Sequence, residues 1–370
     1  MRLASFNVEN MFDRAKAMNQ ETWAEGRPAL AAHAELNRIF NKATYSAADK
    51  TRILTLLDQQ GILKQDEGPF LILRRIRGKL VHRPKTGSVT VEATGRASWV
   101  GWVDLKTEHV KAKATENCAR VIKEVNADVI GVIEAEDRIT LSRFNTQLLP
   151  AVGGEPYPHV MLIDGNDDRG IDVGIMTGAN YPIRSIRSHI HDRDAGGVIF
   201  SRDCAEYEIA LPSGESLVVL VNHFKSKGYG VQAANDAKRL RQATRVREIV
   251  DTRLAAGQTN VAVIGDFNDT PDRAPLAPLL GAGSPLKDVA SFSGFDDGGR
   301  PGTHGNCTAS SKIDFILLSP ALFSSLSAGG IERRGMWGGT NGTLWPRFPE
   351  VDAEMHAGSD HAAVWADIPI

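Results

Sequence analysis

Cysteine is scarce in this 370-residue chain, which has three: Cys118, Cys204 and Cys307. An odd number so widely separated makes no metal-ligand spacing and suits a reducing compartment rather than a disulfide framework. Net charge is nearly absent too, with 43 Lys and Arg against 45 Asp and Glu. No global field draws the chain to nucleic acid or an anionic membrane, so any basic surface has to be local. No apolar run approaches the length that spans a bilayer. Residues 1–8 already read as a strand, which leaves no signal peptide before the fold and makes a cytoplasmic protein the expectation. Internal repeats, low-complexity linkers and clean domain boundaries are missing as well, so a single domain over 1–370 is expected.

What is present is a recurring device, an apolar strand that ends in polar groups. Residues 261–264 form a short β run that breaks at Gly265 and presents Asp266, Asn268 and Asp269. In an extended chain Asp266 and Asn268 face the same way. They are either a strand-end turn or a pair able to bind a hard cation and hold a water against phosphorus. Residues 2–9 alternate, placing Leu3, Ser5, Asn7 and Glu9 on one face, read either as a solvent edge or as a second polar strand end. Residues 129–136 end in Glu134 and Glu136 after a run apolar enough to be covered on both faces. A carboxylate there is either a solvent-exposed strand end or, since it is costly to bury unpaired, the natural partner of a cation. Residues 217–227 place His223 after an apolar run, with Lys225 on its face, read as a packed histidine or an anion site. A strand over 169–176 carries Asp172, expected at an edge or beside a cationic or histidine partner. Asp314 opens the strand over 312–318, and Asp360 and His361 precede the last strand.

Between these strands, residues 14–63 read as helical, with Ser46 and Asp49 marking a helix start. Residues 70–85 read as a hairpin turning near Gly78. Seven Lys and Arg against two acids lie between Lys64 and Lys85, and Trp99 and Trp102 follow. Arg74, Arg75 and Arg77 are therefore either a phosphate-backbone contact with a stacking option or a solvated hairpin paired to acids. A helix over 108–127 has Val110, Ala114, Ile122 and Val125 on one side, and a second over 231–256 is studded with Lys238, Arg239, Arg241, Arg245 and Arg247, most of them expected in solvent, with one or two near its start as candidates to approach a substrate phosphate. Residues 329–358 read as a long aromatic loop, a candidate lid.

Sheets bring strand ends to one rim, so Asn7, Glu9, Glu134, His223, Asp266, Asn268, Asp314, Asp360 and His361 are candidates to converge. Carboxylates, amides and two histidines without thiolates select Mg²⁺ or Mn²⁺ over zinc and suit phosphoryl hydrolysis, with Asp314 the acid that orients His361. The motifs Phe6-Asn-Val-Glu-Asn, Val129-Ile-Gly-Val-Ile-Glu, Val221-Asn-His-Phe-Lys-Ser, Gly265-Asp-Phe-Asn, Lys312-Ile-Asp-Phe-Ile-Leu and Ser359-Asp-His, in this order, resemble the endonuclease/exonuclease/phosphatase superfamily of deoxyribonuclease I and the apurinic endonucleases. That resemblance implies an α/β (α+β) four-layer sandwich, two mainly antiparallel β-sheets flanked by helices. It implies Mg²⁺-dependent phosphoester hydrolysis, with Glu134, Asp360 and Glu9 at the metal, and Asn7, His223, Asp266, Asn268, Asp314 and His361 catalytic. Lys225, Arg74, Arg75 and Arg77 are the substrate-binding candidates. The long stretch between Asn7 and Glu134 departs from the family, making residues 14–110 an insertion of helices and a β-hairpin. The inositol-phosphate phosphatase signature is absent ahead of Asp314. A nuclease acting on DNA or RNA is the first expectation. A phosphomonoesterase or phospholipid-type phosphodiesterase is the second, and a catalytically silent nucleic-acid-binding module the third, since fold alone does not fix function.

Overall fold

The computed structural model describes the chain except residues 12, 19–22, 110–111, 168–169 and 228–230; the side chains of 10–15, 18–24 and 107–112 are also outside the description. Val110, named above on a helix face, and residue 169, where the strand over 169–176 is expected to start, lie outside the described residues. Two compact units emerge, residues 1–12 with 111–370, and residues 13–110.

The first unit is built on two sheets. Its strands are β1 (Arg2–Met11), β2 (Val129–Ala135), β3 (His159–Ile163), β4 (Asp172–Thr177), β5 (Ile183–Arg187), β6 (Cys204–Ala210), β7 (Ser216–His223), β8 (Val261–Asp266), β9 (Lys287–Asp288), β10 (Phe295–Asp296), β11 (Asp314–Leu318), β12 (Ala328–Glu332) and β13 (Ala363–Asp367). One sheet has the order β10-β12-β13-β1-β2-β4-β3, the other β5-β6-β7-β8-β11-β9. Each has a parallel pair near its centre, β1 with β2 and β7 with β8, and the remaining pairs are antiparallel apart from the short β10–β12 contact.

Period-two alternation decides what each strand shows to which layer. Leu3, Val129, Ile133 and Ile175 of one sheet meet Val219, Val221, Ala262, Ile264 and Ile316 of the other in the central core. Gly131 belongs to this inner set: a Cβ there would lie 2.5 Å from Ile264 Cδ1, so its absence lets the sheets close. The opposite parity, Ala4, Phe6, Ile130 and Val132, packs on α1 (Ala112–Val125) through Cys118, Val121 and Ile122. On the far side Val218, Leu220, Val263 and Phe315 pack on α2 (Gln232–Ala255) through Ala243, Val246 and Val250. Helix, sheet, sheet, helix is the four-layer sandwich. The β1 face carrying Ser5 and Asn7 is buried between the sheets, not a solvent edge.

Two further expectations need correction. Asp172 opens an interior strand and accepts the Gly165 N–H at 2.8 Å, so it is neither at an edge nor in an ion pair among the described residues. Burial, with Asp164 and Asp167 nearby, pushes its carboxyl up to about 6. The candidate lid after β12 is packed down: Met336, Phe348 and Val351 are buried, and Phe348 and Val351 join the α1 core. Apolar side chains from that loop complete the helix layer, which is why it carries aromatics. The three cysteines are buried free thiols. No helix among the described residues is long and apolar enough to cross a membrane.

The unit of residues 13–110 has its own core. Helices Trp23–Phe40 and Ala47–Gln59 contribute Leu36, Ile39, Phe40, Ile53 and Leu57, and Ser46 and Asp49 form a reciprocal capping box. The hairpin expected at Gly78 does not form. Strand Leu71–Arg77 pairs antiparallel with Val100–Leu105, while Val81–His82 pairs with Thr90–Val91. Gly78 takes φ +75°, and a Cβ there would lie 2.1 Å from the Ser98 carbonyl oxygen, so the chain crosses to a later segment instead of folding back. Trp99 is buried edge-on against Phe40, 4.7 Å between ring centres, and offers no stacking surface. Arg74 sits opposite Trp102 and pairs with Asp104 at 2.9 Å, whereas Arg75 points to the other face of the strand and Arg77 follows a register shift. The three arginines are not one contact surface.

Candidate active site

Register brings the polar strand ends together. In a parallel pair both strands finish at the same rim, and an antiparallel neighbour begins there. His223 lies opposite Asp266 across the β7–β8 pair, and Asp266 lies opposite Asp314 across β8–β11. In the facing sheet Asn7 is level with Ile133, one residue short of Glu134, and β13 runs antiparallel to β1, so the segment before it returns to Asn7. Asn7, His223, Asp266 and Asp314 continue the inner-face parity of their strands, and the two sheets aim them at one another. Gly265 takes φ +135°, and a Cβ there would lie 1.9 Å from the Asn222 carbonyl oxygen; only glycine lets β8 reach the rim beside β7.

Asp266 is the hub. Its Oδ2 accepts from Asn7 Nδ2 at 3.2 Å and from Asn268 Nδ2 at 3.1 Å, and its Oδ1 accepts the Asn268 N–H at 2.8 Å. His223 Nε2 lies 3.7 Å and His361 Nε2 3.9 Å from the same Oδ2. Burial first, then the neighbouring Asp314 charge, pushes the Asp266 carboxyl up, against the pull of His361. His361 Nδ1 meets Asp314 Oδ2 at 2.8 Å. Burial would depress that imidazole, yet Asp314, Asp266 and Asp360 together raise it well above the ordinary histidine value. The dyad is fixed from behind: Thr303 Oγ1 accepts the Asp314 N–H at 3.0 Å, and Ser359 Oγ accepts the His361 N–H at 2.9 Å while donating to the Asn7 carbonyl at 2.7 Å. The imidazole thus offers Nε2 to the cleft, 3.5 Å from Asn7 Nδ2.

Glu134 is partly exposed, and its Oε1 lies 3.5 Å from His223 Nε2. Glu9 Oε2 accepts the Asp360 N–H at 2.9 Å, and Asp360 meets His304 at 3.1 Å. Glu9, Glu134 and Asn268 have φ of +45°, +67° and +53°, a conformation non-glycine residues seldom hold. Three such positions at one rim mark backbone held in place by its surroundings. Among the described residues, two groups of three bring ligand atoms within 4.8 Å of one another: Asp266, Asp314 and His361, and His304, Asp360 and His361. Glu134 and Glu9 belong to neither. A divalent cation fits the rim: the Glu134, Glu9 and Asp360 carboxylates stand beside the crowded Asp266 and Asp314 pair and offer oxygen donors, with imidazoles and no thiolate among them.

Sequence reasoning missed two features. His304 bridges backbone to His361, and its ring lies 4.7 Å from that imidazole; a lone histidine in a loop of glycine and aspartate gives no periodic signal. Arg239, on the helix whose cations are mostly expected in solvent, is fully buried. It pairs with Asp269 at 3.1 Å and with Asp236, and it donates to the Lys225 carbonyl at 2.9 Å. It ties the segment after β7 to the segment after β8, behind the rim. Lys225, the anion candidate, has its N–H held by Gln242 Oε1 at 2.9 Å. Arg74, Arg75 and Arg77 belong to the other unit.

The profile of the endonuclease/exonuclease/phosphatase family matches residues 111–361. No curated protein sequence matches significantly. Among solved structures, a mannosyl-6-phosphatase of Bacteroides thetaiotaomicron is 16% identical, with the match covering 70% of this chain and 91% of that one at a TM-score of 0.51. An endonuclease/exonuclease/phosphatase family protein of the same organism is 17% identical over 69% of this chain and 85% of its own, also at 0.51. At such identities the likeness is one of fold.

Proposed function

The chain belongs to the endonuclease/exonuclease/phosphatase family of metal-dependent phosphoesterases, and from that premise we propose that it is a Mg²⁺-dependent phosphodiester hydrolase, a nuclease cleaving DNA or RNA. The observation that carries the reading is the alignment Asp314–His361–Asp266, with Asn7 and Asn268 on the same carboxylate. Asp266, with Asn268 beside it, holds the attacking water and draws its proton. Asn7 Nδ2 and His361 Nε2 point at a common position where a phosphoryl oxygen sits, and Asp314 keeps the imidazole protonated and oriented as charge develops there. His223 faces the same carboxylate from the Glu134 side and stabilises a second oxygen. Glu134, Asp360 and Glu9 would hold Mg²⁺ or Mn²⁺, which when bound supplies neutralisation of phosphate charge. Of the substrate-binding candidates, Arg75 supports a polyanionic substrate best, since Arg74 is taken by Asp104.

The same proposal takes the whole chain as one family domain with residues 14–110 inserted. It is supported by β1 pairing with β2 while the family match begins at residue 111. The test is incubation of the protein with plasmid, single-stranded DNA, RNA, nitrophenyl phosphate and mannose 6-phosphate, each with Mg²⁺ and with EDTA. EDTA-sensitive cleavage of a nucleic acid is expected. Turnover of the phosphomonoesters alone would replace the nuclease reading by a phosphatase, the activity named for the mannosyl-6-phosphatase that shares the fold.

A further inference from the structure

Within the unit of residues 13–110 lies a concavity of about 340 Å³ lined by Arg75, Lys79, His82, Arg83, Asp66 and an apolar floor that includes Trp99. Its size is in the range that accepts a small ligand. Its charges are of two kinds. Arg83 is part of the wall: it pairs with Asp66 at 2.6 Å and donates to the carbonyls of Leu63, Ile62 and Gln65 at 2.7, 3.1 and 2.9 Å. That cancels the one acid in the lining. Arg75 and Lys79 are exposed and form no ion pair among the described residues. Two uncompensated cations over an apolar floor focus positive potential in the hollow, where a flat wet face would dissipate it. A guanidinium beside an ammonium suits an oxyanion with several acceptor oxygens.

We propose that this concavity is a phosphate-binding site, distinct from the strand-end cleft, that takes the phosphate group of a nucleotide or of a nucleic-acid strand. Arg75 supplies a planar two-point contact, Lys79 a second charge, and His82 a further ring nitrogen at the mouth. Binding here needs no catalysis and stands whether or not the hydrolytic reading holds.

The test uses the full chain in EDTA, so that nothing is cleaved. Binding of fluorescein-labelled dT12 is followed by anisotropy across a salt series, and binding of inorganic phosphate by calorimetry. The double charge reversal R75E/K79E is expected to weaken binding about tenfold or more and to flatten the dT12 salt slope by about 0.7, the amount for the one phosphate no longer neutralised. R75K/K79R, which keeps both charges, should bind within about threefold of the parent, and K50E, a charge reversal elsewhere in the unit, should do the same. Matched melting curves confirm that each variant folds. Abolished phosphate binding with dT12 binding intact assigns the site to small phosphates; weakening of both assigns it to a strand. Parent-like binding of both ligands by R75E/K79E overturns the proposal.

Discussion

The two units put charge to opposite uses. In residues 13–110 the only buried polar side chain among the described residues is Gln60; the core is apolar and the cations stand outside it. The two-sheet unit buries Asp266, Asp269, Asp314, Arg202, Arg239, His223 and His361, most of them near a strand end. Burying a charge costs several kcal/mol unless partners are held ready. Only a scaffold that fixes those partners from many directions can sustain so many. Two facing sheets do so, since each strand end is positioned by its own ladder. A small helical unit with a few short strand pairs does not, and its charged side chains remain at the surface, available to a ligand from solution.

The contrast yields predictions of decreasing size. Asp266→Asn should lower kcat about a thousandfold without loss of fold, since this carboxylate is shared by two amides and faced by two imidazoles. A kcat within tenfold of the parent on any nucleic-acid substrate would remove Asp266 from the chemistry. Arg239→Met should cost about 3 kcal/mol, read as a lowered urea midpoint, because Asp269 stays buried and loses the one fully buried cation among its partners in the described residues, keeping the partly exposed Lys227 and Arg273. A midpoint shift worth less than about 0.5 kcal/mol would mean the buried pair contributes no more than a surface one.

Asp172→Asn tests burial without a direct ion pair, Arg202 acting only from a distance. The Asp172 carboxyl titrates at about 6 in the fold against an ordinary 3.8, so the native state binds the proton more tightly than the unfolded chain does. Stability from this group is full below about pH 4 and is lost as pH rises through 6. The variant lacks that loss and should exceed the parent by on the order of 2 kcal/mol at pH 8, with the gain vanishing near pH 4. A pH-independent difference would show that the carboxyl is not perturbed. Arg74→Ala, in the other unit, breaks a half-exposed pair with Asp104 and should move the midpoint by less than about 0.5 kcal/mol.

Much of the two-sheet unit was legible because period two is strict. Once a strand is bounded, the parity of Leu3 and Ser5 fixes that of Asn7, and the parity of Val219 and Val221 fixes that of His223. Where the strands sit in the sheets was not legible from parity, and the resemblance of six motifs supplied it. Three features had no local signal. Arg239 reads as one more cation on a charged helix, and only the fold shows Asp269 waiting for it. His304 sits in a loop without pattern. The partner of Leu71–Arg77 lies beyond an intervening strand pair, and nothing between Gly78 and Val100 announces that the nearer segment will be passed over.

The central claim is that Asp314 and His361 act as one unit on a phosphoester. A double-mutant cycle measures this directly, from kcat of the parent, His361→Ala, Asp314→Asn and the double variant on one nucleic-acid substrate in Mg²⁺. If the acid works only through the imidazole, the double variant will be no slower than His361→Ala within about twofold, although Asp314→Asn alone is severely impaired. Two losses that multiply would show the residues acting independently and would contradict the account.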